Sequence, residues 1–135
     1  MKAKQYLRQI RWLDNTVNAQ LEQLEALRAM TTNITVNLNV DRVQETKAHD
    51  KMEKLICKIV DLEREITDDI NNLIDLKCEV MRKIDAVQGE DYRLLLTLRY
   101  LCFKTWEQIA VEMNFTFQWI HVLHQRSLYE FEKLI

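Results

Sequence analysis

Proline is absent from this chain, and glycine occurs once in 135 residues, at Gly89. Ordinary usage would give about nine glycines and seven prolines. Tight turns and sheet hairpins draw on those two residues, so a β-rich topology is poorly provided for and long uninterrupted helices are favoured. Cys57, Cys78 and Cys102 are odd in number and far apart, with no C-x-x-C or Cys/His cluster to hold zinc. That usage fits a reduced, cytoplasmic protein. There is no apolar run of about 18 residues and no signal peptide, so no membrane association is expected. A Gly-rich phosphate loop, a nucleophile–base pair and a metal-ligand spacing are all missing, so neither an enzyme nor a cofactor is expected.

A large charge excess is lacking too. The net charge is −2, which argues against a strong general affinity for nucleic acid. Residues 1–30 carry five basic and three acidic groups, 31–47 two of each, 48–90 seven and eleven, and 91–135 five of each. No block forms a basic arm. With 47% apolar and 30% charged residues, the chain has enough apolar content to fold.

What is present is a long 3-4 alternation. Ala3, Tyr6, Ile10, Leu13, Val17, Gln20, Leu24 and Leu27 form one seam, and Met52, Leu55, Ile59, Leu62, Ile66, Asp69, Leu73, Leu76, Val80, Lys83 and Val87 a second. The expected fold is all-α. A long antiparallel coiled-coil hairpin occupies 1–90, with helices at about 2–30 and 48–88. Between them, 31–47 reads as a connecting loop, because Asn, Thr and β-branched residues replace good helix formers. Gly89 supplies a left-handed stop and Asp91 a cap. Pairing the helix ends puts residues whose numbers sum to about 78 opposite one another, with Asp68 and Asp69 near Arg8 and Arg11. Residues 77–88 are then left with an uncovered apolar seam that must meet the C-terminal domain or another subunit, which favours a homo-oligomer, a dimer or tetramer.

Residues 91–135 abandon the heptad for a compact trihelical pattern. DYRLLLTLRYL should bury Leu94, Leu95, Leu98 and Leu101. Thr105–Gln108 reads T-W-E-Q, a capping box, opening a helix with Trp106, Ile109, Ala110 and Met113 inward. Asn114 and Phe115 turn the chain, Thr116 caps a last helix, and that helix buries Ile120, Leu123, Leu128 and Phe131. A small Ala mid-helix, a short turn and a polar cap suit a helix-turn-helix.

The segment RYLCFKTWEQIAVEMNFTFQWIHVLHQRSL resembles region 4 of bacterial sigma factors, the domain that reads the promoter −35 element. It is similar also to small phage regulators of the RinA/ArpU type and a related phage family of unknown function. Those proteins end in a V-H-R-L-H-x-x-A-L-like helix, here I-H-V-L-H-Q-R-S-L from Ile120 to Leu128. Upstream, Tyr6, Leu7, Ile10, Leu13 and Asp14 match YL-x-x-I-x-x-L-D, Asp41–Val43 reads DRV, and Ile59–Ile66 reads IVDLE-x-EI. The resemblance implies a phage or prophage transcriptional regulator acting in the bacterial host cytoplasm. Its partners would be double-stranded DNA and host RNA polymerase.

The resemblance also implies which residues face the groove: Phe117, Gln118, Trp119, His121, Val122 and Gln125, just after the Thr116 cap and one turn on. Gln118 is the best base reader, since a carboxamide bonds adenine bidentately. His121 suits phosphate or guanine, whereas His124 lies nearer the core edge. Lys104, Thr105 and Arg126 sit where phosphates would be touched. Phe117 and Trp119 depart from the family's polar or basic residues; Phe117 suits thymine methyls, and Trp119 suits packing or a protein contact. Two other readings stay open. One is an adaptor that binds polymerase or another regulator without reading DNA. The other is a packaging protein resembling a small terminase subunit.

Overall fold

The computed structural model describes residues 2–36 and 42–135, of which 35, 36 and 42–45 are described by backbone alone. Five α-helices account for most of them: α1 (Lys2–Val36), α2 (Arg42–Asp85), α3 (Glu90–Leu96), α4 (Trp106–Met113) and α5 (Phe117–Glu132). One π-helical turn, Thr97–Leu101, continues α3. Among the described residues there is no strand, as the shortage of glycine and proline leads one to expect. None of the described helices is long and apolar enough to cross a membrane.

The expected loop 31–47 is helical wherever it is described. Here α1 runs on through 31–36 and α2 already occupies 42–47; residues 37–41, the core of that expected loop, lie outside the described residues. Thr, Asn, Ile and Val each cost only a few tenths of a kcal/mol against the better helix formers. Extending a formed helix avoids the nucleation cost altogether. Thr31 helps by donating its hydroxyl to the Arg28 carbonyl, 2.6 Å away.

Two compact units emerge, residues 15–71 and residues 1–14 together with 72–135. In the first, Leu24 packs with Leu62 and Ile66, flanked by Leu27, Ile59 and Ile70. Gln20 Nε2 donates to Asp69 Oδ2 at 2.8 Å, and Arg28 pairs with Glu63 at 2.9 Å. Residues whose numbers sum to about 90 therefore face each other, not 78, and α1 runs opposite to α2. Asp69 meets Gln20 instead of Arg8 and Arg11, and Asp68 is exposed. The polar breaks in the seams explain the shift. In the observed register Gln20 and Asp69 satisfy one another, and an unpaired buried polar group costs about 1–3 kcal/mol.

The second unit keeps the same register. Lys83, the other polar seam residue, donates to Tyr6 Oη at 3.2 Å and to Glu79 at 3.0 Å, with its ammonium 4.5 Å from the Tyr6 ring centre. Those contacts hold the Glu79 carboxyl below its usual range, chiefly through the Lys83 hydrogen bond. The start of α1 thus reaches the end of α2. Ala3, Leu7 and Ile10 are fully buried, as are Val80, Ile84 and Val87 to within 2%. The seam over 77–88 that argued for a second subunit is covered by the chain itself.

Helix α2 ends at Asp85, four residues before Gly89. Gly89, at φ 121°, is the residue before α3 rather than the stop of α2, and Asp91 lies inside the first turn of α3 rather than capping it. Arg93 secures this corner, donating from its guanidinium to the Val87 carbonyl at 2.7 Å. Leu95, Ile109, Ile120 and Leu123 form the core of the α3–α5 region, with Tyr92, Leu98, Trp106, Ala110, Met113 and Phe115 against it. Leu94 is exposed and Leu101 half-buried, whereas Leu96 and Tyr100 are buried. Tyr92 and Leu95 of α3 and Leu98 of the π turn form the packed stripe, and Leu94 is exposed away from it. With only one glycine available, two left-handed positions among the described residues fall to others, Phe103 at φ 58° and Asn114 at φ 57°.

Candidate nucleic-acid interface

Thr105 and Gln108 form the capping box: the Thr hydroxyl accepts the Gln108 amide at 3.2 Å, and the Gln side chain accepts the Thr105 amide at 2.9 Å. Helix α4 ends at Asn114, whose short polar side chain tolerates the left-handed region. The Thr116 hydroxyl then accepts the Trp119 amide at 3.1 Å and opens α5. Ile120, Leu123, Leu128 and Phe131 turn inward as expected, joined by His124 and Ser127. The opposite side is solvent-facing: Phe117, Gln118, Trp119, His121, Val122, Gln125 and Arg126 are all exposed. The sequence candidates on α5 therefore share one accessible face.

Aromatic contacts organise that face. His121 lies between Phe117, with ring centres 4.6 Å apart, and Trp106, at 5.2 Å. Arg126 holds its guanidinium 5.2 Å from the Trp119 ring centre, a cation–π contact that occupies the only cation of α5. Lys104, just before α4, is ion-paired with Glu112 in the last turn of that helix, so its charge is partly met within the chain. The Thr105 and Thr116 hydroxyls each act as helix caps and are exposed.

His124 lies beneath, 3% exposed, with Nε2 2.6 Å from Tyr100 Oη and its ring edge-on to Trp106 at 4.5 Å. Burial pushes its pKa from 6.5 down to about 4, helped by the positive charges of Lys4, Arg99 and Arg8. It is a neutral core histidine. Burial also raises the Tyr100 phenol.

The sequence reading missed a second cluster beside the first. Lys4, Arg8 and Arg11 on α1 and Arg99 on the π turn line a cleft of about 330 Å³, with Phe103, Thr105 and Trp106 on its walls. Arg99 sits 4.2 Å above the Trp106 ring and donates to the Lys104 carbonyl at 3.0 Å. Arg11 sits 4.5 Å above Phe103, and Lys77 lies 5.8 Å from the same ring. The spacing of Lys4, Arg8 and Arg11 by four and three is a helical stripe visible in the sequence. Nothing local tied it to Arg99. Among the described residues, no three His, Cys, Asp or Glu side chains are grouped to hold a metal. No family model, curated protein or solved structure matches the chain.

Proposed function

We propose that the chain is a DNA-binding transcriptional regulator of the phage or prophage type, in which α4 and α5 form a helix-turn-helix and the exposed face of α5 reads a duplex in the host cytoplasm. The observation that carries this reading is the division of α5. Ile120 and Leu123 are buried in the core with α3 and α4, while Gln118, His121, Val122 and Gln125 stand together in solvent immediately after a Thr-capped turn. Gln118 has the chemistry to bond adenine, and the exposed Phe117 ring suits a thymine methyl. The long helices carry Leu21, Ile56 and Val60 exposed outside the seam, and a homo-oligomer built there would place two heads on one duplex.

A second reading is favoured by one observation: the exposed face holds Phe117 and Trp119, and its single cation lies over the Trp119 ring. Such a surface suits a protein partner such as RNA polymerase, bound without reading DNA. Fluorescence anisotropy against fragments of the cognate phage or host genome, with excess nonspecific competitor, separates the two. Competitor-resistant binding to a few fragments, weakened about tenfold or more by Gln118→Ala, is expected from a bidentate base contact. Folded protein that binds no fragment at low salt would instead move the α5 face to protein recognition.

A further inference from the structure

We propose that the cleft between the start of α1 and the π turn is a phosphate site that grips the backbone of the duplex read by α5. It rests on the DNA-binding reading above and adds where the binding energy comes from, since α5 itself carries one cation, already over a ring.

Charge comes first. Lys4, Arg8, Arg11 and Arg99 converge on one cleft whose walls contain no carboxylate. Among the described residues, none of the four is in an ion pair. Four like charges around one small volume repel one another, and an anion placed among them relieves that repulsion. The field is felt by the neighbours, since Lys4, Arg99 and Arg8 all oppose protonation of His124.

The aromatic walls then say which anion. Arg99 and Arg11 lie over Trp106 and Phe103, so one face of each ring is already taken by a cation. The rings act as platforms that hold the guanidiniums. A guanidinium has five N–H donors, and Arg99 directs one of them to the Lys104 carbonyl. The donors left over match tetrahedral oxygen anions, for which arginine is the preferred partner. Phe103 is held at φ 58°, a costly conformation for a bulky residue. That strain places its ring under Arg11 and beside Lys77. The N-terminal turn of α4, with its outward amides, borders the cleft at Thr105 and favours negative charge there.

Position selects the duplex over an acidic protein segment. Trp106 forms a wall of the cleft and is also in contact with His121 on the α5 face. A strand whose bases lie along Gln118 and His121 would carry its phosphates past Trp106 into the cleft. Base contacts specify and phosphate contacts position; here the two tasks fall to separate elements, α5 and α1.

The test is the salt dependence of duplex binding by the full chain and by Arg8→Gln/Arg11→Gln. Both arginines are exposed, so circular dichroism should be unchanged. Each lost phosphate contact lowers the slope of log K against log salt by about 0.9. The double variant is therefore expected to lose about 0.9–1.8 of slope. Raising salt from about 50 to about 200 mM would then weaken it roughly 3- to 12-fold less than the parent. Target and scrambled duplexes should lose affinity together, and Arg8→Lys/Arg11→Lys should restore most of the slope. An unchanged slope in a variant that still binds would overturn the cleft while leaving the reading of α5 intact. Failure of the parent to bind any duplex at about 50 mM salt would overturn both. Loss of binding to a poly-glutamate peptide with duplex binding unaltered would assign the cleft to an acidic protein segment and refute the proposal.

Discussion

Acid should weaken this protein through His124, which is folded into the core as the neutral base. Its pKa falls from 6.5 to about 4 through burial first and the surrounding Lys4, Arg99 and Arg8 second. Above about pH 6.5 neither the folded nor the unfolded chain protonates it, and its full contribution to stability is present. As pH falls from about 6.5 to about 4, the unfolded chain takes up a proton that the folded chain refuses, so stability declines across that window and levels off below it. At about 1.4 kcal/mol per pKa unit, the loss is roughly 3 kcal/mol, a large part of a typical domain's stability. The assay is urea unfolding, followed by circular dichroism, at steps from about pH 7.5 to about pH 4. The reference is Tyr100→Phe/His124→Leu, which removes the titrating ring and its 2.6 Å hydroxyl partner together and so strands no polar group. The parent should lose roughly 3 kcal/mol more than the reference between the two ends. Parallel profiles, or a His124 ring that titrates near 6.5 by NMR, would show that the ring is not held neutral by its surroundings.

The other consequences concern the corner and the seam. Gly89→Ala should lower stability by about 1–3 kcal/mol, since the residue sits at φ 121° and a Cβ would lie 2.8 Å from the Tyr92 ring; thermal melting reads this directly, and an unchanged melt would mean the corner rearranges freely. Gln20 Oε1 is buried without a partner beside the Asp69 hydrogen bond, so Gln20→Leu/Asp69→Leu should match or exceed the parent in stability, while Gln20→Leu alone should cost about 1–3 kcal/mol by orphaning Asp69. Equal stability of the single and double variants in denaturant titration would contradict that account.

Much of this arrangement could be read from residue spacing. Ala3, Ile10, Val17 and Leu24 are buried on α1, and Leu55, Leu62, Ile66, Leu73 and Val80 on α2, as the 3-4 alternation requires. The caps at Thr105 and Thr116 and the turn at Asn114 were equally legible, because each depends on two or three neighbouring residues. Register was not, because a 3-4 pattern slid along its partner still sets apolar against apolar. Only the polar interruptions Gln20, Asp69 and Lys83 distinguish one alignment from another, and they meet Asp69, Gln20 and Tyr6. The basic cleft was hidden for a related reason. Its arginines on α1 and the π turn are some ninety residues apart in the chain, and its geometry depends on the left-handed turn at Phe103, which no local residue preference announces.

The register has a further consequence for how the chain is made. Tyr6 and Phe131 bring their ring centres within 6.0 Å, so two side chains some 125 residues apart in the chain are neighbours. Residues 15–71 intervene between the two parts of that compact unit. Closing so long a segment as a floppy loop would cost about 3–4 kcal/mol in entropy. Here the intervening stretch pairs with itself, with Gln20 against Asp69 near its two ends, so the gap left to close is much shorter than 57 free residues would leave. Substitutions in the Leu24–Leu62–Ile66 cluster would slow the appearance of the α5 surface without touching it.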